Sequence, residues 1–283
     1  MQARFPPALY SQVAFLGDVA EPLPSMSTGV AVSATVTASE QEQSTARDAR
    51  VRRRGTERHV TRRVKRRTID RYVARKHILW SRFDEGIQMT WNSFYEVTPE
   101  PIALHIATRF QTRIADSLLV ADLFAGVGSN AIAMARLLTK DAPQRLPYVV
   151  AVDHNAVKCE MLQQNARIYG VAQRIDVVIG DAFAFVRRWR RMFDGGFASP
   201  PWGGPAYRRR PVYNLDAMRP YCASEIFRLG WQVSPNFAVL LPRNSDVSQL
   251  AEIARRRPLE VEENWLEGRL ITLTVYSGAL VQP

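Results

Sequence analysis

Cysteine is almost absent: Cys159 and Cys222 are the only two in 283 residues, and neither lies in a C-x-x-C pair or at metal-ligand spacing from a histidine. A disulfide framework and structural zinc are thereby set aside, and a reducing compartment with no metal fits best. Long apolar runs are missing too. No stretch approaches the roughly 20 residues needed to cross a bilayer, so a soluble chain, expected to be a monomer, is read rather than a membrane protein. The first 50 residues lack both helical and strand periodicity and are rich in Ser, Thr, Ala, Val, Pro and Gln. Such a segment cannot bury a face and is expected to be disordered. Acid is scarce at the very start: MQARFPPALYSQVAFLG has none before Asp18, a weak transit-peptide feature that Pro6 and Pro7 oppose by breaking an amphipathic helix.

What the chain has in excess is positive charge, +11 overall. Lys and Arg gain by displacing counterions from phosphates, so a nucleic-acid partner is favoured. Nine cations fall between Arg52 and Arg67, interrupted by one acid, Glu57. This run reads as a nuclear-localisation or RNA-contacting arm, covering residues 1–67 with the disordered start. Residues 71–283 still hold 26 Lys and Arg against 20 Asp and Glu. The body is mildly basic in its own right.

Residues 68–96 read as a helical extension, with Ile69, Tyr72, Val73, Ile78 and Leu79 at helical offsets through Phe83. From residue 97 to 283 helices and strands alternate. A helix capped by Thr98 carries Pro99 and Pro101 in its first turn. SLLVADLF (117–124) and YVVAVD (148–153) are apolar strands ending in Asp, followed by RIDVVIGD (174–181) and GFASPPW. Helices separate them, which predicts an α/β, mostly parallel sheet, and VEENWL with LITLTVYSG predicts a closing antiparallel hairpin.

Ligands in such sheets bind beyond the carboxyl ends of the strands, which directs attention to Asp122, Asp153 and Asp181. Phe124, Gly126, Gly128 and Asn130 form the turn DLFAGVGSN after the first strand. From Gly126 the sequence G-V-G-S-N-A lacks the third glycine of a dinucleotide fingerprint, so a dehydrogenase is the weaker reading. Asp153 is suited to the two hydroxyls of an adenosine ribose and Asp181 to the adenine amine, which points to S-adenosylmethionine. Plain helix capping is the bland alternative for these acids. After the fourth strand comes SPPWGGP (199–205). Pro200 and Pro201 hold the backbone extended and donate no hydrogen bond, leaving carbonyls for an exocyclic amine, while Trp202 offers a face for a base. Aminomethyltransferases usually carry Asn or Asp where Ser199 stands. Trp is the strongest cation–π partner, and a guanine methylated at N7 is cationic.

The segments SRFDEGI, VTPEPIALHIA, DLFAGVGSNAI, AVDHNAVK, NARIYGV, SPPWGGPAY, EIFRL and LPRNSD together resemble the trimethylguanosine synthase family over residues 70–283. The resemblance implies a Rossmann-like class I methyltransferase fold and methylation of the exocyclic N2 of a 7-methylguanosine RNA cap, giving 2,2,7-trimethylguanosine. It implies that residues 68–96 form a lid over the site. Trp80, Thr98, Asp122 and Asp153 would contact the cofactor; Arg71, Asn165, Trp202, Tyr207, Arg243 and Asn244 would contact the cap, and Ser199, Pro200 and Trp202 would carry the transfer. Trp80 stands where the family more often has Phe, and Asn92 where an acid is frequent. Partners so implied are capped RNAs of small nuclear, nucleolar or spliced-leader type with their RNP proteins, in the nucleus or nucleolus. A guanine-N2 methyltransferase of ribosomal or transfer RNA and a non-catalytic cap-binding adaptor are the alternatives.

Overall fold

A computed structural model describes residues 74–114, 119–137 and 147–282. The arm 1–67, Arg71 and most of the loop 141–147 lie outside these residues. The chain divides into two compact units, and the unit that includes His77–Pro283 carries the sheet.

Seven strands form that sheet: β1 Leu119–Leu123, β2 Tyr148–Asp153, β3 Ile175–Ile179, β4 Gly195–Ala198, β5 Phe237–Pro242, β6 Leu259–Leu266 and β7 Arg269–Ser277. Their spatial order is β3-β2-β1-β4-β5-β7-β6. Strands β1 to β5 pair in parallel, and β7 runs antiparallel to both β5 and β6. The central strands β1, β4 and β5 are buried along nearly their whole length, as continuous apolar runs covered on both faces must be. The order reverses at β1, where the chain runs outward to β3 and then returns to β4. A crevice opens there beyond the carboxyl ends of β1 and β4.

Eight helices among the described residues cover the sheet: α1 Lys76–Leu79, α2 Ser93–Glu96, α3 Glu100–Arg113, α4 Ser129–Arg136, α5 Ala156–Ile168, α6 Ala182–Arg188, α7 Ala223–Val233 and α8 Gln249–Ala254. One apolar cluster joins α3, α4 and α5 to one sheet face, and a second joins α6, α7 and α8 to the other. The helix expected up to Phe83 is shorter than its pattern. Its described part ends at Leu79, after which Trp80 turns into the core and a 3₁₀ turn, Phe83–Glu85, closes on Gly86. Thr98 does not cap α3 either. The cap position falls on Pro99, and the Thr98 hydroxyl instead accepts a hydrogen bond from Asn130 Nδ2 at 3.0 Å.

Candidate active site

The turn after β1 contains three residues with left-handed backbone, Phe124 (φ 68°), Gly126 (φ 57°) and Gly128 (φ 98°). For Phe124 this conformation costs roughly 1–2 kcal/mol, a strain of the kind concentrated at ligand sites. The two glycines have different reasons. A Cβ on Gly128 would meet Leu162 of α5 at 2.6 Å, so this glycine lets the helix close on the turn. A Cβ on Gly126 would meet nothing within 4 Å, and Gly126 lines the crevice. Its open side is available to a ligand.

Asp153 holds this turn from the next strand. One carboxylate oxygen accepts from Gly126 N–H at 2.8 Å and the other from Asn155 N–H at 2.9 Å. A carboxylate has about four acceptor positions, so capacity remains for two hydroxyls. Asp122 is different. It is buried, and neither of its oxygens has a hydrogen-bond partner of ordinary geometry. Burial first, and the nearby charge of Asp153 second, push its pKa well above the usual carboxylate range, with the Ala131 amide opposing them weakly.

The crevice has a volume of about 280 Å³. Its floor is Phe124 to Asn130 with Asp153; one wall is Asn92, Ser93 and Tyr95 to Thr98, and the other is Ser199 to Trp202 with Gly204, Tyr207 and Arg208. Lys158 of α5 pairs with Glu96 of α2 at 2.8 Å, tying the first wall to the helix after β2. In the second wall, Trp202 donates its indole N–H to Leu240 O at 3.2 Å and meets Tyr207 edge-on, with ring centroids 5.3 Å apart. Tyr213 donates its hydroxyl to Trp202 O at 2.9 Å. Asn244 Nδ2 donates to the carbonyls of Tyr207 and Arg210, so the LPRNSD loop after β5 props up the turn that carries Tyr207.

Of the expected site residues, the crevice gathers Thr98, Phe124, Gly126, Gly128, Asn130, Asp153, Ser199, Pro200, Trp202 and Tyr207. Five are placed otherwise, and Asp122 is buried without lining the crevice. Trp80 is 1% exposed, packs against Tyr169 at 5.8 Å with its indole N–H buried and unpartnered, and does not line the crevice. Asp181 is the N-cap of α6: one oxygen accepts from Ala184 N–H and the other from Tyr221 hydroxyl, and it does not line the crevice. Asn165 is fully buried. Its Oδ1 accepts from Gln88 N–H at 2.8 Å and its Nδ2 donates to the carbonyls of Gln88 and Val127, both at 3.0 Å. Its amide is thus occupied within the protein, between Gln88 and the glycine turn. Asn244 likewise does not line the crevice and bonds to the backbone of Tyr207 and Arg210. Arg243 is exposed outside the crevice lining.

Sequence reasoning missed Glu100. This carboxylate accepts from Ser81 N–H (2.5 Å), Ser81 hydroxyl (3.0 Å), Tyr169 hydroxyl (2.7 Å) and Arg136, and so anchors the SRFDEG segment to the body. Burial pushes its pKa up, but these donors together hold it below the usual carboxylate value. The local signal was an acid in the first turn of a helix, which the macrodipole also explains.

The crevice fits S-adenosylmethionine by two tests. The open side of Gly126 beside Asp153 suits an adenosyl ribose, and Asn130 Oδ1 is a buried acceptor without a partner, suited to an ammonium group.

Residues 117–279 match the model of the RNA cap guanine-N2 methyltransferase family. Trimethylguanosine synthase of Schizosaccharomyces pombe is 34% identical over 192 residues, covering 65% of this chain and 75% of the relative. The Saccharomyces cerevisiae trimethylguanosine synthase is 32% identical over 191 residues, covering 66% of this chain and 58% of the relative. A solved structure of a candidate methyltransferase from Porphyromonas gingivalis W83 superposes with a TM-score of 0.54 over 76% of this chain and 49% of that one, at 15% identity, a likeness of fold. With the family model spanning more than half of the chain, the strand-end turn held by Asp153 and the proline-held SPPW turn facing it are those of a class I fold, and the chain belongs to the RNA cap guanine-N2 methyltransferase family.

Proposed function

We propose that this chain transfers methyl groups from S-adenosylmethionine to N2 of a 7-methylguanosine RNA cap, giving the 2,2,7-trimethyl product. The observation that carries this reading is the shared crevice: the Gly126–Asp153 cofactor turn and the Ser199–Tyr207 wall line one cavity. Bound S-adenosylmethionine supplies a methyl already activated by its sulfonium. Asp153 and Asn130 hold the cofactor's ribose and amino-acid ends. Trp202 stacks on the cationic base, its ring plane fixed by the bond to Leu240 and by the edge of Tyr207. The carbonyls of Ser199 and Pro200 accept from the exocyclic amine and aim it, so that orientation supplies most of the rate. Ser199 is a positioning residue rather than a general base; the methylated amine releases its proton to water.

Capped small nuclear, nucleolar or spliced-leader RNA is the proposed substrate class, with RNP proteins as partners and the nucleus as the place of action. The 52–67 basic run supports that location. Mass spectrometry of a 7-methylguanosine cap dinucleotide after incubation with S-adenosylmethionine tests the reaction. Gain of one or two methyl masses on the base is expected, and no gain, with ribosomal or transfer RNA methylated instead, would replace this reading.

A further inference from the structure

The crevice uses the carboxyl edge of the sheet, yet most of the body's excess charge lies at the opposite edge. α6 runs away from the crevice and ends in Arg187 and Arg188, followed by Arg190 and Arg191, all four exposed. α7 ends beside them, since Arg191 N–H donates to Gln232 O at 2.9 Å. α8 runs the same way and ends in exposed Arg255, Arg256 and Arg257. The Arg257 guanidinium sits over the Trp231 ring of α7 at 4.8 Å, which joins this group to the first. The acids in and beside these segments are Glu225 in the first turn of α7, Glu252 on α8, and Asp194 at the foot of β4. Asp194 is committed to the Leu119 amide.

This charge decides the electrostatics of the body. Residues 71–283 hold 26 cations and 20 anions. Without these seven arginines the body would carry no positive excess. Among the described residues no ion pair neutralises any of the seven. All seven are Arg, as are all but three of the 26 cations in residues 71–283, and the guanidinium suits forked contacts to phosphate and stacking on bases. Trp189, with Arg188 at 5.8 Å from its ring, and Trp231 are half-buried aromatics within the group. Basic groups interleaved with aromatics are the features of a single-stranded nucleic-acid surface.

We propose that this edge binds the phosphates of the RNA body downstream of the cap, so that the substrate is held at both ends of the strands. The proposal rests on the cap-RNA reading above for the identity of the RNA. The parallel strands between the two edges are four to six residues long, about 13–20 Å, and the path around the body is longer, so a cap dinucleotide in the crevice cannot reach the arginines whereas a longer RNA can.

The test uses the full chain with Arg187, Arg188, Arg255 and Arg256 all changed to Gln, and a second variant with all four changed to Lys. Arg257 stays because it packs over Trp231. On a cap dinucleotide, kcat/KM of the Gln variant should match wild type. On a capped RNA of about 25 nucleotides KM should rise about 10-fold or more, and the log–log salt slope of binding should flatten by up to about 3 if each cation meets one phosphate. The Lys variant should recover most of the salt slope. Unchanged RNA affinity and slope in the Gln variant would overturn the proposal and leave the edge to an acidic protein. An equal loss on dinucleotide and long RNA would overturn it too, as damage to the fold. If wild type fails to methylate the dinucleotide, the cap reading falls. Binding of uncapped RNA of the same length, measured by anisotropy for wild type and variants, then still decides the proposal.

Discussion

Changing Asn165 to Ala separates two roles that its place in NARIYGV leaves open. If the side chain met the cap, its loss would raise KM for the cap and leave the fold untouched. The geometry assigns it three hydrogen bonds inside the protein, two to the backbone of Gln88 and one to the carbonyl of Val127, with no exposure to water. Each bond is worth roughly 1 kcal/mol net, so about 3 kcal/mol of stability should go, with the Val127 carbonyl stranded in the interior. For a domain of this size that lowers Tm by about 6–12 °C. The loss also unties residues 87–97 from the glycine turn, so KM for S-adenosylmethionine should rise alongside that for the cap. Thermal unfolding followed by circular dichroism, with steady-state kinetics in each substrate, makes the comparison. An unchanged Tm with a rise confined to the cap KM would refute the positioning role and restore direct contact.

Asp153→Ala should weaken S-adenosylhomocysteine binding by about 100-fold, the worth of two hydrogen bonds to a carboxylate, and calorimetric titration showing unchanged affinity would remove the ribose assignment. Trp202→Phe should keep stacking but lose much of the cation–π attraction, of about 2 kcal/mol, so the preference for 7-methylated over unmethylated cap should fall by up to about 30-fold in kcat/KM; Trp202→Ala should lose both terms, and wild-type indifference to the N7 methyl would count against the cationic base. Glu100 has its pKa lowered in the folded state, so its contribution to stability is present above the unfolded value near 4.5 and is lost as pH falls through the folded one. Wild type should therefore exceed Glu100→Gln in denaturant midpoint at pH 7 and converge on it as pH falls below 4.5 and through the lowered folded value, and a constant gap across that range would contradict the anchoring of Ser81 through charge.

The sheet was legible because its strands are apolar runs closed by Asp and Gly, and DLFAGVGSN and SPPWGGP mark where two of them end. Those signals are local. The misplacements are residues whose partners lie far along the chain. Asn165 meets Gln88 across 77 positions, and Glu100 meets Tyr169 across 69, so no periodicity or spacing announces either contact. Asp181 shares with Asp153 the position of an acid at a strand end. What separates them is whether an amide of the following helix, Ala184, or the glycine turn after the neighbouring strand, Gly126, takes up the oxygen. Trp80 at the end of an amphipathic stretch gives the same pattern whether it faces a ligand or Tyr169. Resemblance could name these positions but could not say which of them act through another residue.

The unequal surroundings of Gly126 and Gly128 bear on engineering. At Gly128 even a methyl group collides with Leu162, so variation there is closed by the scaffold itself. At Gly126 a methyl would cost roughly 1 kcal/mol of backbone strain and would otherwise meet no protein atom within 4 Å, in the space proposed for the cofactor. Gly126→Ala is thus the place to install a bump, and a methyl donor trimmed on its adenosyl side becomes the matching key. A variant so altered is expected to bind the ordinary donor less well than the trimmed one, which a comparison of the two in kcat/KM checks.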